Sequence, residues 1–176
     1  MHGEIRTERL ELRFPAEADA EAIWTHVQDP RIHRNVGRIP AGQSLEDTHA
    51  FIARSRESRE AGTGIGFVIV QGGRLIGIVG GGRTGVHGGV HGIYDVGYWI
   101  APDAWGQGYA TEASAALVAW LTREYGQQVF TAGYILDNPG SGRVLRKLGF
   151  LPCGRSLYPC LGRDEMVECI DTVRVV

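Results

Sequence analysis

A glycine-containing turn joins a predicted strand to a predicted amphipathic helix in the middle of this chain of 176 residues. The strand covers Tyr94–Ala101 and the helix covers Thr111–Tyr125. The apolar residues of the helix recur at i, i+4, i+7 and i+8 and share one face: Ala113, Leu117, Trp120 and Leu121. Because each element has one apolar face to bury, the chain has to fold as a packed mixture of sheet and helix.

Changes in the spacing at which hydrophobic residues recur indicate where the remaining strands and helices lie. Strands are predicted at Arg6–Arg13, Ile65–Val70, Leu75–Gly80, Val129–Leu136, Leu151–Leu157 and Glu165–Val175. Helices are predicted at Ala16–Gln28, from a capping box at Ser44 towards Arg59, and from Asn138 to Leu148. This β-α-α-β-β-β-α-β-α-β-β order predicts an α/β (α+β) fold with about seven strands, and the absence of repeats and linkers predicts one domain over residues 1–176.

Composition excludes several classes of function. The formal net charge of -2 gives no electrostatic reason to expect nucleic acid or an anionic membrane as a partner. No stretch approaches the roughly 18 apolar residues that span a bilayer, and the N-terminus lacks the apolar core of a signal peptide. Cys153, Cys160 and Cys169 have no metal-ligand spacing, which predicts reduced, buried thiols in a cytoplasmic protein and no metal site.

The turn itself favours an anion site. It reads Trp105-Gly106-Gln107-Gly108-Tyr109-Ala110, and its glycines allow successive N–H groups to converge on a phosphate at the start of the helix. A tight turn without a ligand also explains two glycines. A dinucleotide fold needs a third glycine where Thr111 stands and an acid earlier than Asp137, and no Gly-Lys-Ser/Thr occurs for a Walker motif.

The helix that begins at Asn138 carries a second candidate group. Asn138 suits the N-cap position and Pro139 the first helical position, so capping alone explains both residues. Ser141 also fits an ordinary first turn, and Arg143 fits a solvated face. Taken by themselves, these residues do not indicate chemistry.

Together the segments resemble the GNAT superfamily of acetyltransferases, and within it the branch similar to ribosomal-protein N-terminal acetyltransferases. The acyl-CoA motif is matched by Val96-Gly97-Tyr98-Trp99-Ile100-Ala101-Pro102 followed by Trp105-Gly106-Gln107-Gly108-Tyr109-Ala110-Thr111-Glu112-Ala113. A second motif is matched by Asn138-x-x-Ser141-x-Arg143-Val144-Leu145-x-Lys147-Leu148-Gly149-Phe150, and the first strand by Thr7-Glu8-Arg9-Leu10-Glu11-Leu12-Arg13. Trp105 departs from the usual Arg/Gln at the first position of the cradle.

The resemblance implies a GNAT fold whose sheet is splayed between its fourth and fifth strands, with acetyl-CoA as co-substrate. Pantetheine would lie in the gap and pair with backbone at Tyr98, Trp99 and Ile100, where an N–H would stabilise the oxyanion. The pyrophosphate would be bound by the segment Trp105, Gly106, Gln107, Gly108, Tyr109, Ala110 and Thr111. Asn138 and Arg143 would contact the cofactor, and Ser141 would approach the sulfur. A homodimer is expected at family level only.

The implied reaction is direct transfer of acetyl to a primary amine, on a protein N-terminus or a small molecule. The catalytic residues expected are Ser141 as proton donor to the thiolate, Asp95 as general base, and Asn138. Asp95 is equally explained as an ordinary strand-edge carboxylate, and His87, His91 or water could serve as the base instead. Glu112 is expected only to favour the helix dipole. Two other functions stay open: a CoA-binding sensor without turnover, and an oxidoreductase that uses NAD(P).

Overall fold

The computed structural model describes residues 4–83 and 92–176. Its strands are β1 (Glu4–Arg6), β2 (Glu11–Arg13), β3 (Gly64–Gln71), β4 (Arg74–Arg83), β5 (Ile93–Ile100), β6 (Val129–Ile135), β7 (Leu151–Cys160) and β8 (Glu165–Val175). They form one sheet in the order β1-β2-β3-β4-β5-β6-β8-β7. Neighbouring strands are antiparallel except for β5 and β6, which are parallel because the chain crosses over between them through a helix.

Helices cover both faces of this sheet. They are α1 (Ala20–Val27), α2 (Pro30–His33), α3 (Leu45–Glu60), α4 (Tyr109–Tyr125) and α5 (Pro139–Lys147). Helices α4 and α5 pack on one face in the larger apolar cluster, and α1 to α3 pack on the other. The four residues predicted for the inner face of α4 are all buried. Each strand in the middle of the sheet therefore presents alternate side chains to two different cores.

Local signals in the sequence specify several of these boundaries. Ser44 Oγ accepts the Asp47 backbone N–H at 3.0 Å and the Asp47 carboxylate accepts the Ser44 N–H at 2.9 Å, so α3 begins with the predicted capping box. Gly72 and Gly73 have φ angles of 56° and 80°, which suit the two-residue turn between β3 and β4. The α/β fold class is confirmed.

The prediction of one strand at Arg6–Arg13 is wrong, since the segment forms β1, a turn and β2. The Thr7 N–H donates to the Leu10 carbonyl at 2.9 Å, and the Leu10 N–H donates to Thr7 Oγ1 at 2.9 Å. The alternation of polar and apolar residues continues through the turn and conceals it. The described residues therefore contain eight strands, where about seven were predicted, and the short α2 as an additional helix.

The strand predicted at Leu75–Gly80 continues past Gly80, because β4 extends to Arg83. At Gly81 a Cβ would collide with the backbone carbonyl of Asp95 on β5. Glycine is required there because two backbones approach each other closely.

Two further points concern the burial of the cysteines and the possibility of a membrane-spanning helix. Cys160 and Cys169 are buried as predicted, but Cys153 is exposed on β7, so the prediction of three buried thiols is wrong for this residue. Among the residues that the structure describes, no helix is both long enough and apolar enough to cross a membrane.

Candidate active site

The central sheet is splayed between β5 and β6, which are the parallel pair among the described strands. Strands β5 and β6 pair at three positions, and the last pair joins Asp95 to Thr131. Beyond it, β5 continues to Ile100 alongside β4 and β6 continues to Ile135 alongside β8. A gap lined by two backbone edges therefore opens inside the sheet, as the resemblance implied.

The pyrophosphate cradle predicted from the sequence lies at the end of β5, where α4 begins. Gly106 and Gly108 have φ angles of 78° and 81°, values that favour glycine. Gly108 is the N-cap of α4, and the cap makes no side-chain hydrogen bond. Within residues 4–83 and 92–176, no N–H group from Gln107 to Thr111 has a hydrogen-bond acceptor.

These donors fit a pyrophosphate. Five consecutive unpaired N–H groups at a helix N-terminus carry partial positive charge and can bind several phosphate oxygens at once. A Cβ added at Gly106 would meet nothing within 4 Å, so the space in front of this part of the turn is open. The Trp105 side chain lies beside the turn, where its indole Nε1–H donates to the Ile100 carbonyl at 2.7 Å.

Ser141 lies in the first turn of α5 and contacts a tyrosine from β5. The Tyr98 hydroxyl is 2.9 Å from Ser141 Oγ and 3.2 Å from the Ser141 carbonyl oxygen. Burial raises the pKa of Tyr98 to about 12, although its hydrogen bond with Ser141 acts in the opposite direction. Tyr98 therefore stays protonated at neutral pH. The sequence assigned only backbone contacts to Tyr98, and its side-chain role could not be found without the folded geometry.

Asn138 caps α5, as its residue type predicts. Its side-chain Oδ1 accepts the Ser141 backbone N–H at 3.3 Å, which fixes the first turn that carries the Ser141 hydroxyl. The side chain is half-buried beside the gap. Arg143 is exposed on the same helix, with a guanidinium nitrogen 3.9 Å from the Cβ position of Gly140. Cofactor contacts of both residues stay predictions.

Asp95 lies at the closed end of the gap, in the fifth of the eight described strands and not at an outer edge of the sheet. Burial raises the pKa of its carboxyl group, although Thr131 Oγ1 donates to it at 3.2 Å. Because side chains alternate along β5, Asp95 shares the α1–α3 face with Trp99, which is buried there, while Tyr98 faces α4 and α5. The Asp95 carboxyl group and the Tyr98 hydroxyl group therefore lie on opposite faces of β5.

The prediction that Glu112 only favours the helix dipole is wrong. Its carboxylate accepts the Thr7 hydroxyl at 2.6 Å, the Arg9 backbone N–H at 3.1 Å and the Arg9 Nε–H at 2.7 Å. The sequence could not indicate this pairing, because the partners are 103 and 105 positions apart along the chain.

On the α1–α3 face, the segment after α2 packs on the hairpin of β7 and β8. The Leu161 N–H donates to the Gly37 carbonyl at 2.9 Å, and Arg163 Nε donates to the Arg34 carbonyl at 2.7 Å.

His87 and His91, the alternative bases, lie outside the described residues. Within the described ranges, no three His, Cys, Asp or Glu side chains are grouped to hold a metal ion.

Comparisons with known proteins agree with this geometry. Residues 9–151 match the family model described as "Acetyltransferase (GNAT) domain". YoaA of Bacillus subtilis (strain 168), an uncharacterised N-acetyltransferase, is 29% identical over 150 residues, which cover 83% of this chain and 81% of YoaA.

Many solved structures have a similar fold, among them RimL and MccE. The ribosomal-protein α-N-acetyltransferase RimL, in complex with coenzyme A, superposes with a TM-score of 0.86 at 18% identity, over 98% of each chain. The microcin self-immunity acetyltransferase MccE, with acetyl-CoA and AMP, gives 0.82 at 17% identity, over 97% of this chain and 94% of its own.

Replacement of Gly108 by glutamate tests the cradle. We expect Gly108→Glu to lower affinity for acetyl-CoA by about 100-fold or more, because a side chain and a negative charge enter the anion site. Isothermal titration measures the change. Gly126→Glu is the matched control, since Gly126 caps the other end of α4 with a φ of 64° and open space around it. Unchanged affinity in Gly108→Glu would place the phosphates elsewhere.

Proposed function

Because the chain belongs to the GNAT acetyltransferase family, we propose that it transfers the acetyl group of acetyl-CoA to a primary amine, the α-amine of a protein N-terminus. The observation that carries this proposal is the coincidence of two features at one end of β5. The sheet opens after Asp95, and the N–H groups from Gln107 to Thr111, at the N-terminus of α4, are unpaired. A ligand with an amide-containing arm and a pyrophosphate matches both features.

Bound acetyl-CoA supplies an activated acetyl group as a thioester, which a neutral amine attacks directly with release of the CoA thiol. The amides of Gln107–Thr111 bind the pyrophosphate, and Trp105 borders it. The edge of β5 that faces the gap, between Tyr98 and Ile100, binds the pantetheine arm. Asn138 contacts the arm near the acetyl end, and Arg143 contributes positive charge from the first turns of α5.

Ser141 donates a proton to the departing sulfur. Since Tyr98 stays protonated, its hydroxyl can donate to Ser141 Oγ, which leaves the Ser141 proton available for the thiolate. A thiol with a pKa near 8.5 is a good leaving group, so this help accelerates the reaction without being indispensable.

Asp95 accepts the proton from the attacking amine, directly or through water. Burial raises the pKa of the carboxyl group, which makes its ionised form a stronger base. Removing the proton from an α-amine at pH 7 costs only about 1 kcal/mol, because its pKa is about 7.7–8.0, whereas a lysine with a pKa of about 10.4 costs about 4.6 kcal/mol. A single half-buried carboxylate therefore suits an α-amine.

A protein of the same fold supports the same acceptor. RimL is described as acetylating the N-terminus of a ribosomal protein, and its fold aligns with nearly the whole of this chain. Three cysteines without disulfides fit a reducing compartment, so we propose that the enzyme acts in the cytoplasm. Homodimerisation stays a prediction.

Binding and turnover of candidate ligands test the proposed function. We expect acetyl-CoA and CoA at 100 times Kd to stabilise the protein by about 2.7 kcal/mol, or about 8 °C in Tm, and NAD(P)H to leave Tm unchanged. Thiol release should follow with peptides that have a free N-terminus. The control is the same peptide with a blocked N-terminus and an internal lysine.

Three other results of this experiment would each contradict part of the proposal. Stabilisation by NAD(P)H alone would contradict the acetyltransferase function. Binding of CoA without thiol release from any acceptor would indicate a sensor. Thiol release with small amines but with no peptide would contradict a protein N-terminus as the acceptor and would keep acetyl-CoA as the donor.

Single and double substitutions test the proton donor. We expect Ser141→Ala to lower kcat about 10-fold without abolishing it, and Tyr98→Phe to lower kcat less. Because the two hydroxyls act as one unit, the double variant should be no slower than Ser141→Ala. Tyr134→Phe is the control, since the Tyr134 ring lies 2.8 Å from the Cβ position of Gly142 on α5 and makes no hydrogen bond to Ser141. Additive losses would show that Tyr98 acts independently.

A further inference from the structure

The turn between β1 and β2 contacts the first turn of α4 through ionic and polar side chains. Arg9 Nε donates to Glu112 at 2.7 Å, and a terminal guanidinium nitrogen lies 2.5 Å from the same carboxylate oxygen. The other carboxylate oxygen accepts Thr7 Oγ1 at 2.6 Å. Burial raises the pKa of Glu112, but these hydrogen bonds outweigh burial and hold the pKa below its usual value. The Glu112 side chain is therefore ionised and fixed by several donors.

Arg9 has a second contact, with the backbone of the cradle. Its other terminal nitrogen donates to the Gln107 carbonyl at 2.9 Å, and its guanidinium carbon lies 4.7 Å from the centre of the Tyr109 ring. A nitrogen of Arg9 is also 3.6 Å from the Cβ position of Gly108. The planar guanidinium of Arg9 thus contacts the Glu112 carboxylate, the Gln107 carbonyl and the Tyr109 ring at the same time.

The contact with Gln107 determines where the next N–H group points. A trans peptide unit is planar, so a carbonyl directed at Arg9 turns the Gly108 N–H to the opposite side. Glycines on both sides of Gln107 allow many backbone angles. Without the contact with Arg9, the peptide unit between Gln107 and Gly108 could therefore adopt many orientations. Arg9 also offsets the charge of Glu112, which would otherwise repel phosphate from the start of α4.

We infer that Arg9, held by Glu112 and Thr7, is a positioning residue for the pyrophosphate cradle. This inference rests on the proposed function, because it takes the cradle as the phosphate site. The turn that the sequence assigned to a first strand thereby becomes part of the cofactor site. Two sequence segments about a hundred residues apart act together in binding the donor.

Affinities for CoA and for pantetheine, which lacks the pyrophosphate, test this role in the full chain by isothermal titration. We expect Arg9→Ala to weaken CoA binding about tenfold or more and to leave pantetheine affinity unchanged. Arg9→Lys should restore CoA affinity only in part, because an ammonium group cannot reproduce the planar fork. Arg123→Ala is the matched control, since it removes an exposed ion pair with Glu124 at the other end of α4.

Three results would overturn the inference: unchanged CoA affinity in Arg9→Ala, equal losses for CoA and pantetheine, or full affinity in Arg9→Lys. Should Arg9→Ala fail to fold, Arg9→Gln gives the same test, with CoA affinity reduced and pantetheine affinity kept, because a glutamine lacks both the charge and the planar guanidinium. Gly108→Glu separates the two proposals. If it abolishes CoA binding while Arg9→Ala does not, only the role of Arg9 fails; if neither changes binding, the proposed phosphate site fails as well.

Discussion

The short pairing between β5 and β6 is the constraint on which the rest of the site depends. After Asp95 and Thr131 the two parallel strands separate, and each keeps a partner on its outer side only. Backbone donors and acceptors on the inner edges need partners, since an unsatisfied buried group costs about 1–3 kcal/mol. A gap of this kind in the middle of a sheet is suited to water or to a ligand that has its own amides.

The same separation directs two helices at the gap. Helix α4 follows the end of β5 and helix α5 follows the end of β6, so both N-termini lie at the carboxyl ends of the splayed strands. Their caps differ in a way that matches the proposed chemistry. Gly108 leaves the N–H groups of α4 open to an anion, whereas Asn138 caps α5 and fixes Ser141 beside Tyr98. In the proposed function, the N-terminus of α4 is open for phosphate binding and that of α5 is fixed for proton transfer.

Features that depend on neighbouring residues could be predicted from the sequence. The capping box at Ser44, the turn at Gly72 and the inner face of α4 each follow from residues a few positions apart, and the structure has all three. The turn after Thr7 was missed because its alternating pattern resembles a strand. The contacts of Glu112 with Arg9, and of Ser141 with Tyr98, depend on chain crossings that no local pattern contains.

Hydrogen exchange of individual backbone amides, measured by NMR with and without CoA, tests the central claim most directly. The claim is that the amides in front of α4 and along the open edge of β5 bind the donor. It predicts that two groups of amides become protected when CoA binds: those of Gln107–Thr111, and those between Val96 and Ile100 that point away from β4. Saturating CoA that leaves both segments exchanging at their free rates, with protection elsewhere in the chain, would contradict it.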